Sequence, residues 1–177
     1  MAPSNADIRS LIERAAMLAR AERMDEAEAC FREVLRCEPN TVEALEFLGG
    51  RAFREQRFRE AVSAYEACVA VRPDQAEYRF NLGTAREQFG DQQGAIDSYL
   101  GAYRIAPRDA RHALFAGAAL EAAGRREDAA VMFSLGDDAN PAIRTAKDNP
   151  SLHPEIRRRS QTADRVLREH FTQLHRR

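Results

Sequence analysis

The chain has 177 residues, of which 44% are hydrophobic and 31% are charged, and its formal net charge at pH 7 is −1. Nine glycines and seven prolines are too few for a disordered or fibrous protein, so we expect a folded chain. No run of about 20 apolar residues that could span a membrane is present, and the first residues lack a signal-peptide pattern, so the cytoplasm is the expected location.

From its start to Pro141, the chain reads as a succession of paired amphipathic helices. Ser4 or Asn5 is expected to cap the first helix, and Asp25 the second, because short polar side chains accept hydrogen bonds from free backbone N–H groups. Each pair ends at a proline, which cannot continue the helical hydrogen-bond ladder. The predicted helices are 8–21, 25–37, 42–56, 59–71, 76–89, 93–105, 110–123 and 126–139.

The pairs repeat with a period of 34 residues, and each has a small residue on its first helix, an alanine and an aromatic residue on its second, and a closing proline. The small residues are expected where two helices cross closely, and the aromatic residues are expected to fill the space between one repeat and the next. Gly90 and Gly124 are expected at helix ends that need a left-handed residue. The four sets are Ala15, Ala27, Phe31 and Pro39; Gly49, Ala61, Tyr65 and Pro73; Gly83, Ala95, Tyr99 and Pro107; and Gly117, Ala129, Phe133 and Pro141.

After Pro141 the period fails and the charge changes sign. Residues 142–177 have nine Lys or Arg and four Asp or Glu, a net charge of +5, which leaves −6 for residues 1–141. Residues 142–148 are expected to form a short helix, 149–154 a linker, and 155–177 a last basic helix that starts after Pro154. Its apolar stripe is Ile156, Ala163, Leu167, Phe171 and Leu174, and its flanking arginines are Arg157, Arg158, Arg159, Arg165 and Arg168.

The chain resembles the tetratricopeptide repeat family in its 34-residue period. The best-matching segment contains Asn81-Leu82-Gly83, Gly90-Asp91, Ala95-Ile96, Tyr99 and Pro107. The family's frequent tryptophan is absent, and Leu11, Leu45, Arg79 and Ala113 stand at that position. The resemblance implies an all-α, right-handed superhelical solenoid of helix-turn-helix repeats, here closed by a C-terminal capping helix. The implied domains are four repeats over 8–141 (8–41, 42–75, 76–109 and 110–141) and a linker with a basic amphipathic helix over 142–177.

The resemblance also implies a non-catalytic scaffold that binds a peptide or helix of a partner protein in a concave groove lined by the first helix of each repeat. Acidic and aromatic side chains along those helices favour an apolar partner that carries positive charge. Helical spacing alone leaves open whether each aromatic residue belongs to the groove or to the core between repeats. The expected groove residues are Arg9, Ile12, Glu43, Glu46, Phe47, Phe53, Glu77, Phe80, Asn81, Thr84, Glu87, Arg111, Leu114, Phe115 and Glu121.

Some members of the family hold the C-terminal carboxylate of chaperones with Lys, Asn and Arg side chains. Only Asn81 fits that pattern here, which disfavours such a ligand. Three roles stay open for the last helix. It caps the solenoid, it folds back into the acidic groove, or, less favoured, its arginines bind nucleic acid or anionic lipid.

The sequence contains no phosphate-binding loop, no dinucleotide fingerprint and no nucleophile elbow, and neither a cofactor nor a metal ion is expected. His153, Glu155 and His170 or His175 match a two-histidine, one-carboxylate pattern only superficially, because Pro154 and a helix start separate them. The three cysteines, Cys30, Cys37 and Cys68, fall on predicted second helices and are expected to be reduced core thiols.

An alternative reading places the chain at the front of a longer enzyme. The segment ADRVLREHF within residues 150–177 is similar to the region before the catalytic domain in some bacterial aspartyl/asparaginyl β-hydroxylase-like oxygenases. The chain also ends at Arg177 directly after a predicted helix, as the front part of a longer protein would. None of that family's iron or 2-oxoglutarate ligands is matched, so the chain itself is not expected to be an enzyme. Lys147 is the one lysine among 27 basic residues, which indicates a GC-rich, bacterial coding sequence.

Overall fold

The computed structural model describes residues 5–139, and in these residues the chain has eight helices and no strand. They divide between two compact units, Met1–Asp74 and Gln75–Arg177. The first unit holds α1 (Asn5–Arg20), α2 (Met24–Cys37), α3 (Val42–Arg54) and α4 (Phe58–Val71). The second holds α5 (Ala76–Phe89), α6 (Gln92–Ile105), α7 (Ala110–Ala122) and α8 (Arg126–Ala139).

The predicted all-α fold of paired helices is confirmed, and each predicted helix lies within three residues of an observed one at both ends. The helices α2, α4 and α6 each end two residues before a proline, at Pro39, Pro73 and Pro107. The predicted short helix, the linker and the C-terminal capping helix lie outside the described residues.

The core of the first unit forms where apolar faces of α1, α2 and α3 meet. Ala15, Phe31 and Val34 are buried there, and the Phe31 ring centroid lies 4.6 Å from that of Phe47 on the next repeat. In the second repeat, a Cβ atom added to Gly49 would lie 3.2 Å from the ring of Tyr65. Glycine therefore allows the two helices of this repeat to approach with an aromatic ring between them.

The core of the second unit is larger and is built on α6 and α7, with Tyr99, Ile96 and Leu120 fully buried. A Cβ atom added to Gly83 would lie 2.7 Å from the Tyr99 ring, and one added to Gly117 would lie 2.8 Å from Phe133. The prediction that these aromatic residues fill the space between successive repeats was incomplete. Each of these two rings also rests on the glycine of its own repeat.

The turns inside the helix pairs repeat with the same period as the packing. Gly90 and Gly124 have φ of +89° and +77°, which confirms the predicted left-handed positions. Glu22 and Gln56 occupy the same register and have φ of +60°, although side chains with a Cβ rarely adopt this conformation. One backbone turn is therefore kept at all four places, with glycine at only two of them.

The helix caps differ in part from the prediction. Asp25 lies inside α2, and Arg23, at the N-cap of α2, makes no side-chain capping bond. Asn5 is the first described residue of α1, and Ser4 lies outside the described residues. Side-chain caps are found at two other helices. At the start of α6, Asp91 Oδ1 accepts from the Gly94 N–H at 3.0 Å, and at the start of α7, the Asp109 side chain accepts from the Arg111 N–H. Since one aspartate fits several adjacent register positions, sequence alone placed the α2 cap two residues too late.

The cysteines are free thiols, with Cys68 buried and Cys30 and Cys37 partly buried. Burial raises the pKa of the Cys68 thiol to about 12. At neutral pH this side chain is therefore an uncharged packing group, as predicted for a core thiol.

Candidate binding surface

Four aromatic rings meet in the second unit and form what we call the aromatic cluster: Phe80, Tyr99, His112 and Phe115. The Phe80 centroid lies 4.9 Å from that of Phe115, 5.5 Å from that of His112 and 5.6 Å from that of Tyr99. Phe80 and Phe115 meet edge to face, an arrangement that aromatic pairs prefer. Three helices therefore contribute rings to one cluster: α5, α6 and α7.

Phe115 is the most exposed member of the aromatic cluster. It keeps 42% of its surface open to solvent, while its ring lies 5.6 Å from the buried ring of Tyr99. Its neighbour Leu114 is also exposed, at 38%, but a Cβ atom added to Gly136 on α8 would lie 2.7 Å from the Leu114 side chain. Leu114 therefore leans on α8, and Phe115 provides the open apolar surface of the cluster.

The hydroxyl group of Tyr99 connects the buried core to a surface carboxylate. It donates to Glu87 Oε2 at 2.8 Å, and Thr84 Oγ1 lies 3.3 Å away. Thr84 Oγ1 itself donates to the Phe80 carbonyl at 3.1 Å. Burial raises the pKa of Tyr99 above its usual range, so the neutral phenol holds Glu87 in place beside the cluster.

A guanidinium group already lies on this surface. Arg111 is 5.3 Å from the Phe80 ring centroid, within cation–π range, and donates to Asp109 Oδ2 at 2.7 Å and Glu77 Oε2 at 3.2 Å. The hydrogen bond to Asp109 is the main cause of the raised pKa of Arg111, and the same bond lowers the pKa of Asp109. The surface therefore holds one cation by a ring face and two carboxylates.

His112 is a buried member of the aromatic cluster. It is 2% exposed, and its Nδ1 lies 3.2 Å from the Ala106 carbonyl oxygen, which can only accept, so Nδ1 carries the donated proton. Its Nε2 has no hydrogen-bond partner among the described atoms and lies 3.8 Å from Asp109 Oδ2. The ring is therefore fixed by one hydrogen bond and by its contact with Phe80.

In the first unit, the apolar residues of the predicted groove are less exposed than Leu114 and Phe115 of the second. Phe47 and Ile12 are partly buried and pack against the core of α1, α2 and α3, and Phe53 lies 5.6 Å from Phe58, edge to face. Glu43 lies 3.8 Å from Arg72, and both are about half exposed or more. This unit brings fewer apolar side chains to its surface than the second unit does.

The structure thus brings together six of the predicted groove residues. Phe80 and Phe115 belong to the aromatic cluster, Thr84, Glu87 and Arg111 contact it, and Glu77 binds Arg111. Asn81 is half-buried, Arg9, Glu46 and Glu121 are exposed, and these residues stay predictions as binding residues. Sequence reasoning missed Tyr99 and His112 as buried members of the aromatic cluster. A signal existed for the ion pair, because Glu77 and Arg111 are one 34-residue period apart.

Among the described residues, no three or more His, Cys, Asp or Glu side chains are grouped as a metal site. The histidine and carboxylate pattern around His153 lies outside those residues, as does the segment 150–177 that resembles hydroxylases. None of the helices that the structure describes is both long and apolar enough to cross a membrane.

Comparison with known proteins gives matches to repeat proteins. Residues 48–110 match a family model described as Tetratricopeptide repeat. The chain is 27% identical over 105 residues to the Small glutamine-rich tetratricopeptide repeat-containing protein 2 of Mycosarcoma maydis, covering 59% of this chain and 30% of that protein. The chain therefore spans less than a third of the length of this curated relative.

Two solved structures illustrate the shared fold. A crystal structure of MamA is 21% identical with a TM-score of 0.70, over 79% of this chain and 81% of that chain. MamA 41-end from Desulfovibrio magneticus RS-1 is 21% identical with a TM-score of 0.68, over 76% of both chains. None of these matches is a hydroxylase, and that resemblance stays a prediction. The repeat model matched by residues 48–110, the repeat-containing relative and the common helical fold support the resemblance of this chain to the tetratricopeptide repeat family.

Proposed function

We propose that the first-helix surface of this chain binds a peptide or helix of a partner protein that is apolar and positively charged. Tetratricopeptide repeat chains are typically non-catalytic scaffolds for protein interactions, which supports a role in binding rather than in catalysis. The observation that carries the proposal is the aromatic cluster, with Phe115 open to solvent and Glu87 held beside it by Tyr99.

The aromatic cluster suits an apolar anchor. Exposed aromatic rings in a rigid, well-packed setting supply contact area with little loss of side-chain entropy, and such residues dominate binding energy at interfaces. Phe115 meets this condition because Phe80 and Tyr99 support its ring from two sides. A partner side chain that covers the open part of Phe115 would bury apolar surface on both partners.

The carboxylates suit a cation on the same partner. Glu77 and Glu87 lie at the cluster, Glu121 is exposed further along α7, and residues 1–141 carry a net charge of −6. Arg111 illustrates the chemistry, since its guanidinium lies over Phe80 between two carboxylates. A lysine or arginine of the partner would find the same kind of environment beside Phe115 and Glu87.

The proposal is tested with the full chain as bait and a fluorescent library of short amphipathic peptides that differ only in charge. Phe115→Ala should weaken the best basic peptide by about tenfold or more, since truncation of a binding anchor costs at least about 1.4 kcal/mol. Phe89→Ala is the matched control, because Phe89 is exposed to 47% at the end of α5 and lies outside the cluster. Equal loss in both variants, or preference for acidic peptides, would contradict the proposal.

The charge division of the chain favours one specific occupant as well. Residues 142–177 carry a net charge of +5 and include the apolar stripe of Ile156, Leu167 and Phe171. This segment has the chemistry that the surface requires, and we propose that it competes with a partner for the same place. Deleting residues 150–177 should then raise the affinity for basic amphipathic peptides, and an unchanged affinity would count against self-occlusion.

A further inference from the structure

The first unit contains a hollow on the other side of α3 from the predicted groove, enclosed by α2, α3 and α4. Its volume is about 280 Å³. The apolar part of its lining consists of Leu35, Leu45, Leu48, Ala64 and Ala67. Leu45 and Leu48 lie on a different face of α3 from the predicted groove residues Phe47 and Phe53, so the hollow is separate from the proposed peptide surface.

The size of the hollow limits what it can hold. An apolar cavity of about 150 Å³ accommodates a benzene ring, and sites for whole small-molecule ligands usually exceed about 300 Å³. At about 280 Å³, the hollow fits one bicyclic aromatic side chain. Its volume arises where the sequence has Leu45 at the position of the family's frequent tryptophan and small residues, Ala64 and Ala67, on the facing helix.

Four charged side chains in the lining form a closed cycle of ion pairs, which we call the charge ring. Arg32 lies 2.7 Å from Glu28 and 3.6 Å from Glu60, and Arg57 lies 3.5 Å from Glu28 and is also paired with Glu60. Two positive and two negative charges therefore cancel around the hollow. The lining therefore offers no unpaired charge to an entering cation or anion, and an uncharged group leaves the pairs intact.

The charge ring also favours an aromatic occupant over an aliphatic one. Arginine guanidinium groups are planar and weakly hydrated, and they stack on aromatic faces, best on the indole ring of tryptophan. Arg32 and Arg57 both line the hollow, with their charges already balanced by Glu28 and Glu60. An aromatic ring can therefore contact a guanidinium face without losing an ion pair.

The matching place in the second unit shows that a long side chain fits this position. One period after Leu45 and Ala67 come Arg79 and Gly101, and the Arg79 Cδ would lie 3.2 Å from a Cβ atom added to Gly101. Arg79 therefore covers the surface of α6 that corresponds to the α4 wall of the hollow. In the first unit no long side chain of α3 takes this place, because Leu45 stands there.

We propose that the hollow between α2, α3 and α4 is an anchor pocket for one uncharged aromatic side chain of a partner protein, with tryptophan fitting it best. The apolar wall would bury the ring, and the charge ring would exclude charged side chains while its arginines stack on the ring. The chain would then hold partners at two separate surfaces, a basic segment at the aromatic cluster and an aromatic anchor here.

The test uses the full chain labelled with ¹³C at leucine and alanine methyl groups and titrated with N-acetyl-tryptophanamide as the probe. We expect saturable shifts of the Leu35, Leu45 and Leu48 methyl signals. Ala67→Leu fills the hollow and Ser63→Leu covers it from an exposed position of its lining, and each should weaken the probe by about tenfold or more. Because Ser63 is exposed, its variant keeps the test valid if Ala67→Leu does not fold.

Matched controls distinguish a specific pocket from a packing gap. Ala70→Leu adds the same atoms at an exposed position of α4 outside the hollow and should leave the probe affinity unchanged. N-acetyl-leucinamide and tryptamine should both bind at least about fivefold more weakly than the neutral indole. Absence of saturable shifts, equal binding of the leucine or cationic probe, or full binding by Ser63→Leu would each overturn the proposal, and each outcome is independent of binding at the aromatic cluster.

Discussion

Replacing Gln56 with glycine should stabilise the chain, although glycine in most positions does the opposite. Gln56 has φ of +60° in the turn between α3 and α4, where a residue with a Cβ is strained by about 1–2 kcal/mol. Its side chain is exposed, and its backbone N–H donates to the Phe53 carbonyl at 3.0 Å whichever side chain is present. The substitution therefore removes strain without removing a side-chain contact described here.

The expected gain is smaller than the strain, because glycine also gains freedom in the unfolded chain. The added conformational entropy of the unfolded chain costs about 0.5–1 kcal/mol, which leaves a net stabilisation of about 0.5–1 kcal/mol for Gln56→Gly. Gly90→Gln makes the reverse exchange at the same register of the next repeat, where φ is +89° and an added Cβ meets nothing within 4 Å. It should destabilise by a similar amount, since only the backbone conformation opposes it.

Both variants are measured by urea unfolding followed by circular dichroism, with the free energy of unfolding fitted for each transition that the curve resolves. The wild-type chain and both variants are compared at one pH and temperature. A loss of stability in Gln56→Gly together with no loss in Gly90→Gln would refute the assignment of a left-handed residue to this register.

Three further predictions follow from the packing and the ionisable groups. Gly83→Ala should destabilise the chain by about 1–3 kcal/mol because the added Cβ would lie 2.7 Å from the Tyr99 ring. Gly50→Ala should instead stabilise it by up to about 1 kcal/mol, because the nearest atom to its Cβ would lie 3.5 Å away. Changes of the same sign in the free energy of unfolding by urea would contradict this. The raised pKa of Tyr99 predicts that stability falls as pH rises above its ordinary value of 10.0, and that Tyr99→Phe flattens the fall; parallel curves would contradict it. The lowered pKa of Asp109, caused mainly by Arg111, predicts stability that is lost as pH falls below 3.8, a loss that Asp109→Asn should reduce in acid titration.

The fold could be predicted from the sequence because the same residue types recur every 34 residues and each type has one role in packing. A glycine or alanine every 34 residues allows close approach, an aromatic residue 16 positions later lies on it, and a proline ends the pair. The left-handed conformations of Glu22 and Gln56 were missed because neither residue type favours a left-handed backbone. Only the register shared with Gly90 and Gly124 could have identified them.

The candidate surfaces were only partly predictable, because they depend on which side of a helix the neighbouring helices leave open. Phe47 and Phe115 occupy the same register in the first helices of the second and fourth repeats, and helical spacing treats them alike. In the structure, Phe47 is half-buried against Phe31, while Phe115 stays 42% exposed. The hollow beside Leu45 was beyond sequence reasoning because its volume is what remains after several side chains have packed.

Residues at the same position of two repeats can therefore pack in the core of one repeat and lie exposed in the other. The positions where the sequence departs from the 34-residue period indicate where such differences arise. At the position of the family's frequent tryptophan, Arg79 lies over Gly101 in the second unit, whereas Leu45 leaves a hollow in the first. A residue required by the fold would need to be bulky and apolar at both places, because each repeat buries its helices in the same way. The helix pairs form with Leu45 buried and with Arg79 half-buried at this position, so the position accepts side chains of different chemistry, and the volume left beside Leu45 is what the proposed aromatic anchor would fill.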